Sequence, residues 1–209
     1  MSSILKFIYY QMLKFLKMKI NLFVLALLIS TLTFAQDVSE EKLPYYEVPD
    51  YPETFTAGTM AARMIDGLGF RFYWASEGLS ERDLVFKPDD DARSTSETID
   101  HILDLSYIIV NSTLLKANGK NDNSNMSYSD KRKQVLINLK TAADILKNSA
   151  DISKFKIIFG ENEIPFWNQV NGPIADAIWH CGQLASFRRS SGNPINPNVN
   201  HFRGTVKKQ

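Results

Sequence analysis

From Thr56 onward, apolar residues recur every three or four positions: Ala57, Met60, Ala61, Met64, Ile65, Leu68, Phe72, Ala75 and Leu79. That spacing follows the turn of an α-helix. A stripe kept for about six turns commits the segment to a helix with one buried face. Gly67 and Gly69 interrupt the stripe and are expected where another backbone comes close. Phe70, Phe72, Tyr73 and Trp74 spread over more than one face, so this helix should be enclosed on several sides.

Three more helices follow from similar signals. Ser94-Thr95-Ser96-Glu97 fits the capping box, in which a serine and a glutamate three residues later satisfy each other's backbone N–H groups. The stripe behind it runs Thr98, Ile102, Leu105, Ile109, with Ile99, Leu103 and Val110 beside it, and His101 falls on the inward side. A polar loop spans Asn118 to Ser127. A third helix is predicted over roughly Asp130 to Lys147, with Val135, Leu136, Leu139, Ala142, Ala143 and Leu146 inward. The run Phe155 to Phe159 (FKIIF) reads as one short strand or an extended strap. A fourth helix is predicted from Pro173, a residue suited to the first helical position, to just before Gly192, a good C-terminal cap. There is no internal repeat. Four helices of this length in one domain predict an all-α fold, a four-helix bundle.

The N-terminal residues belong to a different category. Lys14, Lys17 and Lys19 flank the uninterrupted apolar run Leu22 to Ile29, and Thr33-Phe34-Ala35 is a small-x-small site. This is the pattern of a secretory signal peptide, too short in its apolar run to anchor in a bilayer. Cleavage is expected after Ala35, with Met18 as an alternative start. The expected organisation is residues 1–35 as signal peptide, 36–55 as a polar leader or wrapping arm, 56–194 as the helical bundle and 195–209 as a C-terminal tail. The expected location is outside the cytoplasm, in a periplasm or secreted.

Without those 35 residues the chain holds 20 basic and 23 acidic residues. So near-neutral a balance argues against a nucleic-acid binder. The single cysteine, Cys181, excludes an internal disulfide, so packing, with or without a metal, must hold the exported fold.

The three histidines are His101, His180 and His201. His101 and His180 fall near the middle of the second and fourth helices. Asp176 stands one turn before His180, so both side chains lean the same way. Helix bundles build metal sites from such side chains on facing helices. Two histidines and one carboxylate would leave coordination positions open, which suits zinc or another divalent first-row metal. Glu97 and Asp104 lie about one turn on either side of His101. The alternative is plainer: a histidine on an apolar face is ordinarily a hydrogen-bonded core residue, and Asp176 favours the positive end of its helix. Cys181 reads as a small core residue, because nothing cationic adjoins it in sequence. Arg188 and Arg189 read as solvated or paired with acids, and Trp74, Trp167 and Trp179 as packing.

Three stretches carry a family resemblance. They are GLGFRFYWASEGLSERDLVFKP (Gly67 to Pro88), SETIDHILDLS (Ser96 to Ser106) and NGPIADAIWHCGQLASFRRSSGNP (Asn171 to Pro194). Together they resemble the DinB-like superfamily over roughly Thr56 to Pro194. The resemblance implies a four-helix bundle with one long crossover and a divalent metal, zinc or nickel, held by three histidines. One would come from the second helix and two, spaced H-x-x-x-H, from the fourth. His101 matches the first and His180 the last; the middle one falls on Asp176, a departure that replaces a neutral ligand by a charged one. The resemblance implies thiol-dependent transfer or isomerisation; because the chain reads as exported, a metal-dependent hydrolase using metal-bound water is expected at least equally, acting on a small molecule with Glu97 or Asp104, beside His101, as general base or outer hydrogen-bond partner. The expected partners are that substrate and, as one possibility, a second copy of the chain; the charge balance argues against nucleic acid, and cleavage of the short apolar run leaves no stable membrane anchor. The alternative is a non-catalytic exported binding protein that has lost the metal.

Overall fold

A computed structural model describes residues 3–33 and 42–207. The chain divides into two compact units, residues 1–42 and 43–209. The first holds α1 (Ser3–Thr33). Among the described residues no helix is long and apolar enough to cross a membrane. The expected cleavage point, between Ala35 and Gln36, lies outside the described residues.

The second unit is mostly helical, as the periodicity requires. It contains α2 (Ala57–Ser76), α3 (Glu81–Leu84), α4 (Thr95–Thr113), β1 (Ala117–Asn118) and α5 (Tyr128–Lys147). There follow β2 (Lys156–Phe159), β3 (Asn162–Pro165), α6 (Trp167–Gln169), a π-helical turn (Val170–Ile174) and α7 (Ala175–Ser191). Two short strands end it, β4 (Val199–Asn200) and β5 (Thr205–Val206). α5 packs on α2 and α4, and α7 packs on the same two helices. Leu68, Phe72, Ile102, Leu103, Leu136, Leu139, Leu146 and Leu184 form one buried cluster between them. Phe70, Phe72 and Trp74 are all buried, as the aromatic spread on α2 predicts, whereas Met60 and Met64 of the same stripe are exposed.

α2, α4 and α5 each start where a local cap forms, whereas α7 has no side-chain cap. Thr56 and Thr59 cap α2 reciprocally. At α4, the Glu97 N–H donates to Ser94 Oγ at 3.1 Å and the Ser94 N–H donates to Glu97 Oε2 at 2.7 Å, so the predicted capping box forms. Ser127 caps α5. A further box, Ser80 with Asp83, opens the short α3, which the apolar pattern does not announce.

The fourth helix departs from expectation at its start. The chain is already helical at Trp167, and Val170–Ile174 forms a wide turn in which Gly172 leaves the helical region (φ −98°, ψ −109°). Pro173 has no N–H to give, so the regular ladder cannot pass through it. Gly192 does end α7, at φ +94°. FKIIF becomes β2, hairpin-paired with β3 and flanked in parallel by β1.

Close approach to α2 occurs at a glycine the stripe does not single out. A Cβ on Gly58 would stand 2.3 Å from the Leu146 carbonyl oxygen and 2.6 Å from that of Ser149. Gly69 meets the Tyr45 ring rather than a backbone, and Gly67 meets only the Arg71 side chain. Gly58→Ala should therefore push α2 from the end of α5. Overpacking of this kind costs about 1–3 kcal/mol, against a helix-propensity gain of at most about 1 kcal/mol. The expected net loss, read from urea midpoints, is about 1–2 kcal/mol. An unchanged midpoint would show that the two helices separate there without cost.

The leader and tail join the same unit. Tyr45 is buried, and the Trp74 indole N–H donates to the Tyr46 carbonyl at 3.1 Å. The Val48 N–H donates to the Gly204 carbonyl at 2.8 Å, and the Val206 N–H to Glu47 Oε1 at 2.8 Å. Two further expectations are corrected. Arg188 is neither solvated nor held mainly by acids: it is buried and donates to the carbonyls of Trp74 (2.7 Å), Ala75 (3.2 Å) and Asn193 (2.6 Å). The guanidinium thereby supplies donors to carbonyls at the end of α2 that the helix itself leaves without one. Of the three tryptophans only Trp74 is packing; Trp167 and Trp179 are 81% and 73% exposed.

Candidate metal centre

α4 and α7 pack against each other and bring His101, Asp176 and His180 together. Asp176 lies in the first turn of α7, just after the π-helical turn, and His180 follows one turn later. Asp176 Oδ2 is 3.1 Å from His101 Nε2, and its Oδ1 is 3.3 Å from His180 Nε2. The imidazole rings meet at 4.6 Å between centroids, nearly perpendicular at 89°. One ligand atom from each of the three residues lies within 4.8 Å of the others, a group that could hold a metal ion. Ligands about 2.0–2.1 Å from a tetrahedral ion stand about 3.3 Å apart, so the two carboxylate–imidazole edges already have the length such a site needs.

Gln183, not singled out from sequence, orients the set. Its Oε1 lies 2.7 Å from His180 Nδ1. A carboxamide oxygen only accepts, so with this amide orientation Nδ1 carries the hydrogen and Nε2 presents its lone pair to the site. Nε2 then has no hydrogen to offer Asp176 Oδ1, 3.3 Å away, and a cation shared by the two would satisfy both. A ligating histidine characteristically donates its other ring N–H in this way. The signal was available in sequence: Gln183 is three residues beyond His180, hence on the same face.

The centre is open on one side. The side chains of His101 and Asp176 keep 30% and 41% of their exposure, and His180 keeps 12%. Asp104 lines a cleft of about 280 Å³ with Tyr107, Asn118, Lys120 and Phe159, and none of the three candidate ligands lines it. Burial holds the Asp104 carboxyl above its ordinary value, although the His101 charge pulls it down. Glu97 is otherwise engaged: it serves the capping box at the start of α4, whose Ser94 N–H holds its carboxyl below the usual range, and it lies 3.8 Å from Lys87. His201 stands apart, its ring edge-on to Phe70 at 5.7 Å. Cys181 is buried in the core as expected, and burial pushes its thiol up to about 12, against a smaller pull from Arg71. Such a thiol is not a nucleophile at neutral pH.

Comparison with family models, with curated proteins and with solved structures returned no match to this chain.

Proposed function

We propose that this chain is an exported, DinB-like four-helix bundle that binds one divalent metal ion through His101, Asp176 and His180 and works as a metal-dependent hydrolase or transferase on a small molecule. The observation that carries the reading is the convergence of two imidazole Nε2 atoms on the two oxygens of one carboxylate, with Gln183 fixing the ring of His180. The order of the ligands along the chain, one on the second long helix and two on the fourth, supports the family assignment. The signal-like N-terminus, Lys14 to Ala35, supports export.

When bound, a divalent ion supplies Lewis acidity to an oxygen or thiol of the substrate side. The protein's own groups divide the remaining work. His101 and His180 offer neutral nitrogen donors from separate helices, so the site depends on α4 and α7 keeping their packing. Asp176 adds the negative charge that a three-histidine set lacks. Asp104 is the better proton acceptor of the two, because it stands about one turn beyond His101 on α4 and burial holds its carboxyl above its ordinary value, whereas Glu97 is committed to its helix end. The exposed flank of His101 and Asp176 is the substrate's approach, and this favours an enzyme over a closed, purely structural site.

Metal analysis of the tag-free protein tests the assignment. About one zinc or nickel ion per chain is expected, with none in the His101→Ala/His180→Ala double variant. A metal-free wild type that takes up neither ion, or a double variant that binds as well as the wild type, would remove the centre and leave the non-catalytic reading.

A further inference from the structure

α7 has a second working face. Asp176, His180 and Gln183 line one side of the helix; Ile178 and Ala185 lie about half a turn away, since each residue advances the helix by about 100°. There they border a separate cleft of about 190 Å³, completed by Arg71 and Ala75 of α2 and by Ile195 and His201 of the C-terminal segment. The cleft is apolar along Ala75, Ile178, Ala185 and Ile195, and basic at Arg71.

Arg71 is incompletely used by the fold. Its Nη1 donates to the Gly67 carbonyl, four residues back in its own helix, at 2.9 Å. Among the described residues no carboxylate pairs with it, so Nε and Nη2 are left for another acceptor. A guanidinium presents its donors as a planar fork that matches a carboxylate. Beside it, burial and the Arg71 charge together lower the basicity of His201. Neutral His201 brings an N–H without a second full charge, so the cleft offers one cation, not two.

We propose that this cleft binds a small monocarboxylate with a short apolar chain. The carboxylate lies on the free edge of the Arg71 guanidinium, and the chain lies against Ala75, Ile178, Ala185 and Ile195. At about 190 Å³ the cleft takes only a few heavy atoms, a size for which butanoate serves as the probe. An inorganic phosphate lacks the apolar part and carries more charge than one guanidinium balances.

Titration calorimetry with butanoate tests this on the full chain, in wild type, Arg71→Met, Ala185→Leu and Asp176→Ala. Asp176→Ala separates the cleft from the metal centre, where a carboxylate could also bind. Butanoate should bind wild type and Asp176→Ala equally, and Arg71→Met at least tenfold more weakly. Ala185→Leu, which fills the cleft without touching Arg71, should lose binding while its circular dichroism spectrum stays that of the wild type. Acetate and octanoate should both bind more weakly than butanoate. No heat with butanoate at millimolar concentration, equal affinity in Arg71→Met, phosphate binding as tight as butanoate, or loss of binding in Asp176→Ala would each overturn the proposal. The last result would place the carboxylate on the metal centre, whereas failure of the metal centre itself leaves the cleft's binding intact.

Discussion

Zinc or nickel titrated into an Asp176→Ala variant should bind at least about 100-fold more weakly than to the wild type. Changes to outer hydrogen-bond partners alone cost about 10–100-fold in affinity, and this substitution removes a ligand. Two histidines would remain, on α4 and α7, with nothing between them to balance the ion's charge. Asp176→His should retain binding, because it puts a third imidazole on the same turn of α7, and imidazole suits zinc, nickel and copper. The helix-end alternative predicts otherwise. There, Asp176→Ala would lose only about 0.3–1 kcal/mol of stability and neither variant would differ from wild type in metal uptake. Isothermal titration of the three proteins separates the two, and equal zinc affinity in wild type and Asp176→Ala would sink the three-residue site.

The largest expected effect on stability lies at Asp83. Its side chain is buried and joins α3 to the end of α7. It accepts from the Ser80 N–H (2.8 Å), the Ser80 hydroxyl (2.7 Å), the Asn193 carboxamide (2.8 Å) and the Ser191 hydroxyl. Asp83→Ala leaves several of these donors without an acceptor, at about 1–3 kcal/mol for each that stays buried, so a total loss of about 3–5 kcal/mol is expected. Burial by itself would raise the carboxyl's pKa; the four donors outweigh it and hold the group well below the usual carboxylate range. The sign follows from that depression. The contribution is fully present above the unfolded value of about 3.9 and is lost as pH falls toward the folded one. Asp83→Asn should therefore be clearly less stable than wild type at about pH 7, with the gap narrowing at about pH 3. Urea midpoints at the two pH values measure it, and a gap independent of pH would show that the charge on Asp83 contributes nothing.

What could be read from the sequence was local. The Ser94–Glu97 box, the Gly192 stop and the inward stripe of α5 each depend on residues within a few positions of one another, and each is found in the structure. Asp176 and His180 were legible for the same reason, being one turn apart. The meeting of His101 with that pair, 75 residues away, is set by how α4 and α7 pack; periodicity placed His101 inward but could not choose its neighbour. Pro173 misled, because a proline at the first helical position and a proline inside a π-helical turn look alike when Gly172's backbone angles are unknown. The glycines misled too: only the path of the chain shows that Gly58, not Gly67, faces another backbone. Arg188 was misjudged since its partners are mostly main-chain carbonyls, of α2 and of Asn193, which have no side-chain signature.

The hydrogen bonds from Val48 to Gly204 and from Val206 to Glu47 place the two ends of the unit side by side. Ends so placed can be exchanged. A chain of the second unit in which Lys207 is linked through a few glycines to Leu43, and new termini are cut in the polar loop between β1 and α5, keeps every helix of that unit and every metal-site residue in its place. Circular permutation would thus separate what the fold needs, the packing of α2, α4, α5 and α7, from the order in which the chain happens to visit them.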